Sequence, residues 1–147
     1  MNLLHACSDN PVTAYQSTSI VEAARLMRDN HVGAVVVMSD ASPHRPVGII
    51  TDRDIVVRVV ALADQKTVVS LQQVMTTNLV FAPVSMSINE AIQLMCEHGV
   101  RRLLVKGTDQ ELRGIVSFDD LLPLVAGEIT AMAQTVAKGL LREEAKK

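Results

Sequence analysis

Residues 19–37 read SIVEAARLMRDNHVGAVVV, and residues 87–105 read SINEAIQLMCEHGVRRLLV. At an offset of 68 residues, the second stretch repeats eight residues of the first: Ser19, Ile20, Glu22, Ala23, Leu26, Met27, Val32 and Val37. Residues 47–54 match residues 113–120 at an offset of 66, so the first loop is two residues longer. Identities that keep one order along the chain indicate a tandem duplication.

Each copy predicts a strand, a helix, two strands and a second helix. Apolar side chains in residues 20–30 follow helical spacing, and Ser19 is a suitable N-cap for that helix. The other elements of the first copy are strands at 11–14, 32–38 and 47–50, a turn at 39–46 and a helix at about 52–63. Those of the second copy are strands at 79–82, 100–106 and 113–116, a turn at 107–112 and helices at 88–98 and from 118.

The predicted fold class is α/β (α+β), with two tandem β-α-β-β-α repeats packed sheet to sheet about a pseudo-twofold axis. One copy of about 60 residues buries too little surface to be stable alone, which favours this packing. It creates two related clefts, one at the second strand-to-helix turn of each copy. We place the first domain at residues 6–64, a linker at 65–73, the second domain at 74–126, and a C-terminal helix with a frayed tail at 127–147.

The composition fits a small globular chain and argues against several functional classes. The chain has 147 residues, a net charge of −2, two Phe, one Tyr and no Trp. It therefore lacks both the positive charge and the aromatic platforms that nucleic-acid-binding proteins use. No apolar run approaches the roughly 18 residues that span a bilayer, and the first residues lack a signal-peptide pattern. We therefore expect a cytoplasmic protein whose Cys7 and Cys96 are reduced thiols.

The second strand-to-helix turn of each copy carries the pattern Gly-h-h-Thr/Ser-x-x-Asp, where h is apolar. It reads GIITDRD at residues 48–54 and GIVSFDD at residues 114–120. The N-terminus of the following helix offers N–H groups and a partial positive charge to a phosphate. We expect Thr51 or Ser117 to donate its hydroxyl to a phosphate oxygen, and Asp54 or Asp120 to accept from ribose hydroxyls. The same spacing also matches a capping box, which needs no ligand.

The repeat, its two turns and the Val-Met-Thr lead-in at residues 74–76 resemble a pair of CBS domains, also called a Bateman module. The resemblance covers roughly residues 6–125, and the string GIITDRDI at residues 48–55 is similar to bacterial stand-alone members. It implies a regulatory, signal-transducing module that binds an adenosine derivative such as AMP, ADP, ATP, S-adenosylmethionine or NAD. It also implies a protein target for the signal, no catalysis and no required cofactor.

The resemblance also implies which residues line the two clefts, named here the Thr51 cleft and the Ser117 cleft. Asp54 and Asp120 are the implied ribose acceptors, and each cleft draws on the lead-in segment of the other copy. The residues implied for the Thr51 cleft are Thr76, Thr77, Leu79 and Val80, with Val32, Gly33 and Ala34 beneath. Those implied for the Ser117 cleft are Ser8, Asp9, Pro11 and Val12, with Val100, Arg101 and Arg102.

The two clefts are expected to differ in charge. Where the first copy has Gly33 and Ala34, the second has Arg101 and Arg102, and arginine pairs well with phosphate. Asp9 at the rim of the Ser117 cleft is expected to repel a multiply charged ligand. The alternative to phosphate binding is that each arginine is a solvated surface charge.

Two other kinds of site have little support. His5 with Cys7 and Cys96 with His98 are residue types that hold zinc, but nothing in the sequence brings the two pairs together, so we expect no metal site. No Ser-His-Asp or Cys-His grouping suggests an enzyme.

The C-terminal stretch from residue 118 to 141 has apolar residues at helical spacing, interrupted by Pro123, Gly127 and Gly139. It is longer than the matching helix of the first copy. It either folds back on its own domain or forms a homodimer contact, and we favour the dimer because one small domain cannot cover so long a stripe.

Two functional hypotheses follow for the whole chain. The first is a sensor in which an adenine nucleotide bridges both copies and biases a partner. The alternative is a structural interaction or dimerisation module with vestigial, unliganded clefts.

Overall fold

The computed structural model describes residues 1–62 and 70–145, and it contains two β-α-β-β-α units preceded by a short strand. The first elements along the chain are β1 (Ser8–Asp9), β2 (Thr13–Tyr15), α1 (Ile20–Asn30), β3 (Ala34–Met38), β4 (Pro46–Thr51) and α2 (Asp52–Arg58). The second unit follows with β5 (Phe81–Pro83), α3 (Ile88–His98), β6 (Arg102–Lys106), β7 (Leu112–Ser117) and α4 (Phe118–Glu144). The predicted mixed α/β class is confirmed.

Each unit contains a small sheet built in the same way. In the first, β3 is the central strand, parallel to β2 and antiparallel to β4. In the second, β6 is parallel to β5 and antiparallel to β7, and β1 extends the sheet to four strands by pairing with β7. The same register pairs Val36 with Ile49 and Leu104 with Ile115, so the duplication extends to the strand pairing.

Both faces of each central strand are buried, which explains the continuous apolar runs in the sequence. Val35 and Val37 pack with the helices of the first unit in one apolar core. Val36 lies between them, so its side chain points to the opposite face of the sheet, and it is 1% exposed. Leu104 is its counterpart in β6 and is 2% exposed. Ile49 and Leu104 line one cavity, so the inner faces of the two sheets meet there.

The segments that lead into the two units are exchanged between them. Leu3 is fully buried in the core of the second unit, although it precedes the first unit in the chain. Leu71 is likewise fully buried in the core of the first unit. Two backbone hydrogen bonds of 2.9 Å join Thr76 to Ile49 of β4. Neither unit therefore has a complete core without the lead-in of the other.

The predicted helices at 20–30 and 88–98 match α1 and α3 at both ends, and the Ser19 side chain caps α1. The leading strands lie slightly later than predicted, and β1 was not predicted because two residues carry no periodicity. The helix predicted at 52–63 ends at Arg58, and a 3-10 turn at Val60–Leu62 follows. Residues 63–69, which include most of the predicted linker, lie outside the described residues.

The C-terminal helix differs from its prediction. α4 continues through Pro123, Gly127 and Gly139 without a break and extends to Glu144, beyond the predicted helical stretch of residues 118–141. Pro123 is the sixth residue of α4, and its missing N–H leaves the carbonyl of Asp119, an exposed residue in the first turn, without its helical hydrogen bond. In the described part of the chain, no helix has the length and apolar character needed to cross a membrane.

Candidate functional site

The turn that opens α2 forms a complete capping box. The Thr51 hydroxyl oxygen accepts a hydrogen bond from the Asp54 N–H (3.2 Å), and Asp54 Oδ2 accepts from the Thr51 N–H (3.0 Å) and hydroxyl (2.8 Å). Asp54 Oδ1 lies 3.7 Å from Nε of Arg58, whose Nη1 donates to the Val74 carbonyl (3.0 Å). The carboxylate is therefore linked both to its own turn and to the lead-in of the second unit.

The turn that opens α4 repeats the box without the arginine. Asp120 Oδ2 accepts from the Ser117 N–H (2.7 Å) and hydroxyl (2.6 Å), and the hydroxyl oxygen accepts from the Asp120 N–H (3.2 Å). Leu124 occupies the position that matches Arg58. Among the described residues, Oδ1 of Asp120 has no partner, so it remains available to a hydroxyl donor.

Phosphate binding at the helix N-termini stays a prediction, but at α2 it has to compete with bonds within the protein. The first three N–H groups of this helix already donate within the protein: Asp52 to the Gly33 carbonyl (3.1 Å), Arg53 to Asp52 Oδ1 (2.7 Å) and Asp54 to Thr51. The expected hydroxyl donors are also engaged, because Thr51 and Ser117 donate to their capping aspartates. The first N–H groups of α2 are therefore satisfied within the protein, and a phosphate in the Thr51 cleft gains from another positive partner.

The Thr51 cleft is a cavity of about 160 Å³ between the units. As expected, Thr51 and Asp54 line it together with the lead-in of the second unit. Its far wall comes from the start of β6 and not, as expected, from Val32, Gly33 and Ala34. The lining residues are Ile49, Thr51, Asp54, Thr76, Asn78, Leu79, Val80, Val100, Arg101, Arg102, Leu103 and Leu104.

The Ser117 cleft is larger, at about 480 Å³, which falls in the roughly 300–1,000 Å³ range of small-molecule sites. Its lead-in residues are those expected, but Val100 and Arg101 are absent from it. The lining residues are Ser8, Asp9, Asn10, Pro11, Val12, Asn30, His31, Val32, Gly33, Ala34, Arg102, Ile115, Ser117 and Asp120.

The residues that lead into β3 and β6 therefore line the opposite cleft from the one expected, except that Arg102 lines both clefts. The Gly33 carbonyl accepts from Asp52 of its own unit, and the Arg101 carbonyl accepts from Phe118 of its own unit (2.9 Å). Each strand start is therefore held against its own turn, and its free surface faces the turn of the other unit. This relation depends on how the two sheets pack, and a sequence pattern within one copy does not contain it.

Two asparagines at equivalent positions of the two copies line the clefts and were not among the predicted site residues. Asn10 lines the Ser117 cleft and Asn78 the Thr51 cleft. They recur at the 68-residue offset, which is the signal that identifies them. Thr77, in contrast, lines a neighbouring cavity of about 640 Å³ at the hairpin end of the sheets, which shares Asn78 and Leu79 with the Thr51 cleft.

Ion pairs change the expected charge of the clefts. Asp9 is paired with Arg113 (3.2 Å), so its negative charge at the rim of the Ser117 cleft is partly neutralised. Arg101 is paired with Asp119 (3.2 Å) and lines the Thr51 cleft. Arg102 lines both clefts. Burial, and then the charge of Asp9, raise the pKa of the nearby Cys7 thiol.

Comparison with known proteins identifies this architecture. Residues 4–61 and 71–127 each match the CBS domain. The CBS domain-containing protein YhcV of Bacillus subtilis is 41% identical over 111 residues, 74% of this chain and 74% of that protein. The uncharacterized protein MK0525 of Methanopyrus kandleri is 33% identical over 111 residues, 76% of this chain and 56% of that protein. The chain therefore spans little more than half of the Methanopyrus protein.

A solved structure shares the arrangement of both units. The CBS domain pair of protein MJ0100, solved in complex with 5′-methylthioadenosine and S-adenosyl-L-methionine, is 25% identical, with a TM-score of 0.73. The similarity covers 87% of this chain and 98% of that chain. The two matches to the domain family and the similarity to a solved CBS domain pair indicate the same family. The chain belongs to the CBS-domain family, as a pair of CBS domains.

Proposed function

We propose that this protein is a regulatory module that binds an adenosine-containing ligand in the clefts between its two CBS domains. The observation that carries the proposal is the composition of each cleft. Each joins a hydroxyl–carboxylate turn of one unit to apolar walls of the other. A ligand in either cleft contacts both units, so its binding energy depends on their relative arrangement. The complex formed by the CBS pair of protein MJ0100 supports this ligand class.

Within the Ser117 cleft, Oδ1 of Asp120 is the proposed acceptor for the ribose hydroxyls. It is free while Oδ2 holds the cap, so ribose binding does not require the capping box to open. Pro11 and Val12 offer an apolar surface for the base. In the Thr51 cleft, Leu79 and Val80 have the same role, and Asp54 must share Oδ1 with Arg58.

The wider proposal is a cytoplasmic, non-catalytic homodimer that transmits ligand occupancy to a protein target. Its dimer contact is the exposed apolar face of α4, whose residues Ile129, Met132 and Val136 are all more than 60% exposed. A long apolar face of this kind is typical of a protein-contact surface. The ligand changes the arrangement of the units, and α4 continues directly from the Ser117 turn.

The alternative is an interaction module whose clefts bind nothing. The complete capping boxes favour this alternative, because they give Thr51, Asp54, Ser117 and Asp120 a structural role without a ligand. The chain also contains a matched box that lines neither cleft, in which Ser87 and Glu90 cap α3. That box allows the loss of a cap to be separated from the loss of a binding site.

The test compares Asp54→Ala and Asp120→Ala with Glu90→Ala, using calorimetry and thermal shifts with AMP, ADP, ATP and S-adenosylmethionine. Removing a capping interaction costs about 1 kcal/mol, so each variant should lose about that much, and Asp54→Ala should lose more because Arg58 also loses its partner. We expect only Asp54→Ala and Asp120→Ala to lose ligand binding, by at least about tenfold for each cleft. If the wild-type protein gives neither heat nor thermal shift with any of the four compounds, binding of these ligands is rejected and the alternative is favoured.

A further inference from the structure

Arg102 is the residue that the two clefts have in common. It begins β6, is half-buried, and lines both the Thr51 cleft and the Ser117 cleft. Its counterpart in the first unit, at the 68-residue offset, is Ala34. The duplication therefore supplies two clefts but only one arginine at this position.

Neighbouring arginines are paired, whereas Arg102 is not. Arg58 pairs with Asp54, Arg101 with Asp119 and Arg113 with Asp9. Within residues 1–62 and 70–145, Arg102 has neither an ion-pair partner nor a hydrogen-bond partner. A half-buried guanidinium gains from an anionic partner, because its remaining solvation is incomplete.

Gly33 leaves the guanidinium open to the Ser117 cleft. A Cβ atom placed on Gly33 would lie 3.9 Å from Nη2 of Arg102 and 3.4 Å from Oδ2 of Asp52. Since Gly33 has no side chain, nothing from this position separates Arg102 from the cleft that Gly33 lines. The N–H groups that open α2 already have partners, and Arg101 is paired with Asp119, so Arg102 is the unpaired cationic side chain that lines both clefts.

We propose that Arg102 is a phosphate-binding residue shared by both clefts, and that anionic ligands in the two clefts therefore bind with negative coupling. This inference rests on the proposed function. A phosphate in one cleft occupies the guanidinium, so a phosphate in the other binds without it and close to a negative charge. An uncharged nucleoside makes no demand on Arg102, so this source of coupling is absent for it.

The test uses AMP and adenosine as matched ligands and titrates them calorimetrically into wild type, Asp54→Ala and Asp120→Ala. Each aspartate variant weakens one cleft by at least about tenfold, so its tighter site reports the affinity of the intact cleft. We expect the second AMP to bind wild type about tenfold or more weakly than the weaker single-cleft variant binds AMP, within the usual range of site coupling. With adenosine, the second wild-type affinity should fall by less than with AMP, and the difference between the two ligands measures the contribution of Arg102. Arg102→Gln should abolish both the AMP coupling and the preference for AMP over adenosine.

The possible failures are distinguishable. If AMP and adenosine both bind wild type but Arg102→Gln keeps the same AMP-to-adenosine affinity ratio, the shared-cation proposal is overturned and the proposed function stands. Equal AMP affinities in wild type and in the single-cleft variants also overturn it. If neither ligand binds wild type, the proposed function for these ligands and the coupling are rejected together. The ratio in Arg102→Gln decides the question even where an aspartate variant does not fold.

Discussion

Asp54 and Asp120 occupy equivalent positions in the two units but have different surroundings. Asp54 is a partly buried carboxylate whose Oδ1 lies near Arg58, and its side chain is 20% exposed. Asp120 is exposed, and Leu124 stands where the first unit has Arg58. A ligand hydroxyl competes with a cation at Asp54 and meets a free oxygen at Asp120. The two clefts are therefore unequal at the residue that is expected to bind ribose.

Cys7 provides a residue-scale prediction about pH. Its pKa is raised first by burial and then by Asp9, whose Oδ1 lies 4.0 Å from the thiol Sγ. The thiolate is the reactive form, so a raised pKa slows alkylation near pH 8 and moves the rate profile to higher pH. Asp9→Asn removes a negative charge, which lowers the pKa and should speed alkylation of Cys7 at fixed pH. Peptide mass spectrometry measures the rate, with the exposed Cys96 as an internal control; an unchanged Cys7 profile contradicts the prediction.

The glycines of the two turn motifs should differ in their tolerance of a methyl group. A Cβ on Gly114 would lie 2.5 Å from the backbone oxygen of Ser8 in β1, whereas a Cβ on Gly48 would meet the side chain of Met75. Strand backbone yields less easily than a flexible methionine. We expect Gly114→Ala to cost about 1–3 kcal/mol and Gly48→Ala less. Urea denaturation measures both, and an equal or larger loss for Gly48→Ala would contradict this account.

At the scale of elements, the exchanged lead-ins connect each unit to the stability of the other. Residues 1–9 supply a buried leucine and a fourth strand to the second unit. Leu71 and Val74 contribute to the core of the first unit in the same way. The 3-10 turns at Leu3–His5 and Leu71–Gln73 position these side chains. Each turn directly precedes one unit in the chain but packs into the core of the other unit.

Leu3 and Leu4 form a matched pair for testing this exchange. Leu3 is 0% exposed in the second core, whereas Leu4 is 52% exposed. Leu3→Ala should cost about 2–5 kcal/mol, and Leu4→Ala should change stability little. Hydrogen exchange should show the loss of protection concentrated in α3 and β6, which share the core with Leu3. A loss concentrated in α1 and β3 would show that the lead-in supports the first unit instead.

For the whole molecule, α4 offers the face through which we expect two copies to associate. The apolar side chains of Ile129, Met132, Val136 and Leu140 are exposed and recur every three or four residues. That spacing places them along one side of the helix. Their burial against a second copy would remove the largest apolar stripe of this helix from water.

Met132→Asp should therefore shift the protein from dimer to monomer, because it places a charge in the middle of this face. The control is Val21→Asp, which changes an exposed valine of α1 with a similar exposed fraction, 61% against 69% for Met132. Sedimentation equilibrium measures the mass of each variant. A monomeric wild-type protein, or a dimeric Met132→Asp, would show that α4 does not form the contact.

Much of the fold and part of the site were predictable from sequence because their causes are local. The spans of α1 and α3 follow from apolar spacing and from serine caps within a few residues. The same holds for the turn residues Thr51, Asp54, Ser117 and Asp120, whose hydrogen bonds span three residues. The 68-residue repeat then predicts that the second unit resembles the first.

The features of the site that the sequence did not predict depend on contacts between residues far apart in the chain. The sequence by itself determined the duplication, the family and the capped turns, since short-range spacing and capping encode them. Tertiary structure alone decided that Val32–Ala34 face the Ser117 turn, that Arg101 faces the Thr51 turn, and that Arg102 lies between both clefts. These relations arise where two sheets bury their inner faces against each other, which joins residues far apart in the chain. No pattern within one copy specifies which surface of the other copy it meets.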